Sequence, residues 1–208
     1  PGRGWLIHRT STVPSSDRPT LPVLELLIRV DFVLAVVLLV GVPLGLLATT
    51  AHPTVRGHLL AYWRASSLLM ITVYLMIDGR PMAFVTGNAA LVLIPLALWY
   101  GDALCPARRD TLDDAPVGAW MQRWRVAATV FCGASLMLTL PALRCGLTDA
   151  GTDPMCAAWF APPRALHATL HPSLDPSGLG DAAAVGLVVY GAYLLASVVI
   201  VGRHAARG

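Results

Sequence analysis

Five long apolar runs, the first three joined by short links and the last two preceded by longer loops, constrain this chain more than any other feature. They cover residues 32–51, 59–77, 82–100, 126–143 and 182–202. The second is typical. From Leu59 to Ile77 it holds nineteen residues with one formal charge, Arg64. At ~1.5 Å of rise per residue, that length covers most of a ~30 Å hydrocarbon core. Tyr62 and Trp63 beside Arg64 are residues expected at headgroup level, where an arginine close to a helix end also snorkels. The run closes on Asp78-Gly79-Arg80-Pro81, a turn composition with proline placed to start the next helix. The expected fold is therefore all-α, a polytopic helical membrane bundle of about five transmembrane helices.

Composition points the same way. Only 13% of the 208 residues are charged and 56% are hydrophobic, where a soluble domain carries about 25% charged residues. Mean hydropathy is +0.64. All fifteen basic residues other than histidine are arginines. With no lysine in the chain, Schiff-base chemistry of the retinal or pyridoxal kind is excluded. A net charge of +3, scattered along the chain, does not suggest nucleic acid as a partner. Membrane lipids are the partners that the composition implies.

Residues 1–21 are rich in Pro, Ser, Thr and Arg and read as a flexible tail before a single transmembrane domain over 22–208. The stretch VLELLIRVD, with Glu25, Arg29 and Asp31, reads as an interfacial lead-in to the first run. That run contains Gly41 and Gly45, a small-xxx-small seam for helix packing, with Pro43 between them. Pro43 is expected to kink its helix unless a neighbour replaces the lost hydrogen bond. In the third run, Asn88 is the most polar residue at depth, with an amide suited to a neighbouring helix, a lipid or a partner. Arg64 offers the same contact at the membrane surface.

Arginines near the runs favour the side holding the Gly101–Arg125 loop and the C-terminus, which places that side in the cytoplasm and the N-terminus outside. Cys145 and Cys156 fall on the outer side, where thiols are oxidised, and their spacing predicts a structural disulfide. Closing so short a loop is worth roughly 3 kcal/mol in the chain-entropy model.

Signatures of catalysis are missing. The chain contains no HExxH, GxSxG, P-loop, dinucleotide fingerprint or CxxC. No Asp or Glu falls within the five runs, which argues against a proton pump. His167 and His171, four apart, would share a helix face and form half of a weak metal site. The histidines all fall between or outside the runs, so a haem held between helices is not expected. No cofactor is predicted; chlorophyll and lipid are the ligands left open.

Several stretches carry a resemblance. YWRASSLLMITVYLMI at 62–77, IPLALWYGD at 94–102, and the later LRCG, WFAPP and GLVVYGAYLL segments resemble a family of uncharacterised cyanobacterial integral membrane proteins, classed as a domain of unknown function. The resemblance extends from about Leu26 to Val201. It implies a thylakoid or plasma membrane location and supplies no activity or catalytic residue. Small size, the glycine seam and the missing catalytic groups favour a non-catalytic accessory protein, an assembly or scaffold factor within a larger photosynthetic or respiratory membrane complex. The alternatives are a small transporter or channel subunit, and a membrane redox or metal-binding protein using the loop with Cys145, Cys156, His167 and His171.

Overall fold

The computed structural model describes residues 20–50, 53–104, 116–147 and 153–205, and these are helical almost throughout, with no strand among them. Helix α1 (Thr20–Ala35) passes through a π-helical stretch (Val36–Gly41) into α2 (Val42–Thr49). Helices α3 (Pro53–Ile77) and α4 (Met82–Leu104) form a tight antiparallel hairpin around the turn at 78–81. Helix α5 (Pro116–Thr139) tightens into a 3₁₀ stretch (Leu140–Gly146), and α6 (Pro154–Leu170) and α7 (Pro176–Ala205) complete the chain.

Five segments are long and apolar enough to cross a membrane: Pro22–Thr49, Val55–Ile77, Met82–Tyr100, Gly118–Gly146 and Pro176–Ser197. The chain is an all-helical integral membrane protein. The helical lead-in expected over Glu25, Arg29 and Asp31 is continuous with the apolar run that follows, so the helix containing the first run opens before it. The expected tail lies outside the described residues, save for Thr20 and Leu21, which open α1. Cys105, Arg108 and Arg109 also lie outside them.

The hairpin of α3 and α4 is the centre of the bundle. On one side α7 packs against α3, seating Ala183 on Leu75 and Ala83, and Tyr190 on Leu68 and Ala90. On the other, α4 packs against α5. Phe84 of α4 meets Phe160 of α6 edge to face, centroids 5.4 Å apart. Helix α6, too short to cross, lies over the end of the bundle that also holds the 78–81 turn, with Arg164 Nε donating to the Ile77 carbonyl at 3.3 Å. Here α1 is held mainly through α6 rather than by close packing on α3.

The turn at this end is drawn tight for two local reasons. Gly79 has φ of 77°, a left-handed conformation that favours glycine. Arg80 bonds to Asp78 at 2.6 Å and to Asp181 of α7 at 2.5 Å, so one guanidinium ties the hairpin to the last helix. Asp78 first and then Asp181 hold that guanidinium above its already high ordinary value.

Pro43 explains the π-helical stretch. A proline has no N–H to give and its ring crowds the carbonyl four residues back, here Leu39. The helix widens, so Val42 N–H bonds to Val37 instead. The Leu39 carbonyl accepts from the Tyr62 hydroxyl at 2.5 Å, and the Leu38 carbonyl from Trp124 Nε1 at 2.9 Å. Tyr62 and Trp124 touch edge to face, centroids 4.9 Å apart. Tyr62, at 1% exposure, points inward and pins the other end of the bundle. Trp63, its neighbour, does face outward.

A lateral chamber under helix α6

Because α1 stands off from α3, a chamber of about 250 Å³ opens between α1, the π-helical stretch, α3, α4 and α5, with α6 closing one end. Phe32, Val36, Leu69, Met76 and Leu91 make most of the wall apolar, and Trp159 and Pro162 come from α6. Gly87 belongs to the wall, where a Cβ would come within 3.2 Å of Thr72 Cγ2.

One strip of the chamber is polar. Ser135 donates to Asp31 Oδ1 at 2.5 Å, joining α5 to α1. One helical turn along α5, Thr139 donates to Asn88 Oδ1 at 2.9 Å, and Asn88 Nδ2 gives a proton to the Phe84 carbonyl at 2.8 Å. Thr72 Oγ1 donates to the Leu68 carbonyl at 2.8 Å and lies within hydrogen-bond distance of Thr86 Oγ1, at 2.9 Å. Asp31, Thr72, Asn88, Ser135 and Thr139 all line the chamber. Each bond joins groups that hydrocarbon would leave unsatisfied.

Asp31 is the residue that sequence reading missed. It sits nine residues into the span Pro22–Thr49, about 13 Å along the axis at ~1.5 Å per residue. Asp31 lies in the N-terminal part of that segment and not at its centre, so it does not conflict with the expectation that the spans lack carboxylates at their centres. Its flanking charges, Glu25 and Arg29, hid it, while the spacing that places Ser135 and Thr139 on one face of α5 was visible in the sequence.

The other expected site residues fall as follows. Asn88 is buried and bonded to a neighbouring helix, while Arg64 faces outward from α3. Gly41 is exposed with nothing but its own helix near, and no atom lies within 4 Å of a Cβ at Gly45, so the seam packs no helix among the described residues. Close approach to a neighbouring element occurs elsewhere: a Cβ on Gly180 would sit 2.1 Å from Asp78 Oδ2. Cys145 and Cys156 are joined, Cα atoms 5.7 Å apart, fastening the start of α6 to the end of the 3₁₀ stretch. Both are fully buried beside Ile28, Phe84 and Trp159.

His167 and His171 do not share a helical face. His171 is the C-cap of α6 with φ of −137°, and His167 Nε2 lies 3.0 Å from the Leu174 carbonyl. Among the described residues no group of three His, Cys, Asp or Glu is placed to hold a metal ion. Outside the spans, the Ser177 hydroxyl and then the Gly178 N–H hold the Asp175 carboxyl below its ordinary value.

The chamber's chemistry is thus that of a receptacle: an apolar wall, one strip of hydrogen-bonding groups, and a carboxylate among them. No curated protein and no solved structure matches the chain. The family model for a protein of unknown function, DUF3177, matches residues 25–207, from the first turns of α1 to beyond the end of α7, and the chain belongs to that family.

Proposed function

We propose that this is a non-catalytic membrane accessory protein that holds a lipid-like molecule in the chamber under α6. In this reading it acts as an assembly or scaffold factor for a larger photosynthetic or respiratory membrane complex. The single observation that carries it is the chamber itself, apolar on most of its wall and enclosed by α1, α3, α4, α5 and α6. Its polar strip consists of groups bonded mostly to one another, an arrangement suited to positioning a ligand rather than transforming it. Lipid is the ligand of choice, and Arg64, outward on α3, adds a contact for a headgroup or a partner at the surface.

The resemblance to cyanobacterial membrane proteins supports a thylakoid or plasma membrane location. Arginine distribution and the disulfide support an N-terminus outside or in the lumen and a C-terminus in the cytoplasm. A second reading, a small transporter, draws on one specific observation: Asp31 stands within a span and faces a cavity, as relay carboxylates do.

The test is extraction of the tagged protein in a mild detergent, with native mass spectrometry and subunit identification of the eluate. Stoichiometric lipid together with subunits of one complex is the expected result. A bare chain with neither overturns the proposal.

A further inference from the structure

The chamber has a reading beyond its apolar wall, resting on the proposal that it holds a lipid-like molecule: we infer that the occupant is a neutral lipid with a hydroxyl head, and that Asp31 reads that head. Asp31 Oδ1 is taken by Ser135, while Oδ2 has no partner among the described residues. A carboxylate held away from water costs free energy unless each oxygen meets a donor. Ser135, Thr139 and Thr72 have already given their hydroxyl protons to Asp31, Asn88 and Thr86 or to helix carbonyls. In this proposal the second oxygen takes its donor from the occupant.

The count of groups selects the chemistry. An ammonium brings three donors and would leave two unsatisfied against one open carboxylate oxygen. A phosphate or carboxylate head would set like charge against Asp31. A hydroxyl brings one donor and accepts in return. The acceptor side is also met, because Asn88 spends one amide proton on the Phe84 carbonyl and keeps a second. Ser135 and Thr139, one helical turn apart on α5, bond to Asp31 of α1 and Asn88 of α4, so both side chains border the same volume. A long-chain isoprenoid alcohol or a quinol has this head, on a hydrocarbon chain of the same apolar character as the rest of the wall.

The probes are geranylgeraniol and its methyl ether, which share the apolar body and differ in the donor. Binding of each to the detergent-purified full chain is measured by native mass spectrometry and by quenching of tryptophan fluorescence. The wild type is expected to prefer the alcohol about tenfold, the scale of one hydrogen bond to a charged group. Asp31→Leu is expected to bring the two probes within about twofold, and Asp31→Asn, which keeps the side chain's shape and one acceptor oxygen, to retain part of the preference. Ala35→Phe, which fills the chamber, should weaken both probes together. Equal binding of the two by the wild type overturns the hydroxyl assignment and leaves the chamber reading standing. A preference that survives in Asp31→Leu overturns the role of Asp31. Binding of neither probe, or binding unchanged by Ala35→Phe, overturns the chamber reading as well.

Discussion

The Tyr62 hydroxyl donates to the carbonyl of Leu39, the group that Pro43 deprives of its helical partner. A defect written into one helix by proline is thus repaired from another, and the repair fixes where α3 meets the first span. Tyr62→Phe keeps the ring and its edge-to-face contact with Trp124 and removes only the donor. A buried carbonyl left unsatisfied costs about 1–3 kcal/mol. The expected result is a loss of that size in unfolding by denaturing detergent. In a Pro43→Ala background the helix can supply its own N–H, so Tyr62→Phe should then cost much less. Equal costs in both backgrounds would separate the tyrosine from the proline.

The disulfide fastens α6, and with it one end of the chamber, to the 3₁₀ stretch after α5. Cys145→Ser with Cys156→Ser removes a cross-link over 11 residues of sequence separation, expected to cost about 2–4 kcal/mol. The check is thermal unfolding with and without reductant. The wild type should fall toward the double variant when reduced, and the double variant should not respond. Under non-reducing mass mapping, Cys132 is expected to resist alkylation until the protein unfolds, since its thiol is free and buried in the bundle.

How much of this was legible in the sequence depended on whether the signal was local. The five spans were readable because a bilayer asks for length and apolarity, and both are properties of contiguous residues. The turn after Ile77 was readable from Asp78, Gly79 and Pro81 for the same reason. Rotation of a helix about its axis is set by packing, so Tyr62 beside Trp63 and Arg64 read as an interfacial belt although it points inward. The partners that repair Pro43 lie 23 and 86 residues from the carbonyls they serve. Asp31 was overlooked because three charged residues close together resemble an interface, and its partner, Ser135 of α5, lies far away in the sequence. His167 and His171 read as one helical pair from their spacing, whereas the helix ends between them, a boundary that spacing alone does not mark.

Gly180 is where α7 meets the hairpin turn most closely. A methyl group there would overlap Asp78, at 2.1 Å from Oδ2 and 2.5 Å from Cβ. Asp78 must then move, and with it the carboxylate that Arg80 holds. Overpacking of this kind costs about 1–3 kcal/mol. Gly180→Ala is expected to fall in that range by detergent unfolding, whereas Gly191→Ala, with nothing within 4 Å of its Cβ, should be neutral or slightly stabilising. A neutral Gly180→Ala would mean that the α7 contact yields freely.

Acid should loosen the start of α7 before it loosens the bundle. Asp175 precedes Pro176 and accepts from the Ser177 hydroxyl and from Gly178 N–H at 3.1 Å, which caps the first turn. Those bonds hold its folded-state carboxyl below the ordinary aspartate value of ~3.9. A depressed carboxyl contributes stability that is fully present above the unfolded value and is lost as pH falls through the folded one. The cap should therefore be complete at neutral pH, begin to weaken below about pH 4, and be gone once the folded group is protonated. Hydrogen exchange at the amides of 177–180, corrected for intrinsic rates, is the readout. In the wild type protection should fall with acid, while in Asp175→Ala it should be low at every pH. Protection in Asp175→Ala equal to the wild type at pH 7 would show that Arg80 and Asp181, not the cap, secure this end of the helix.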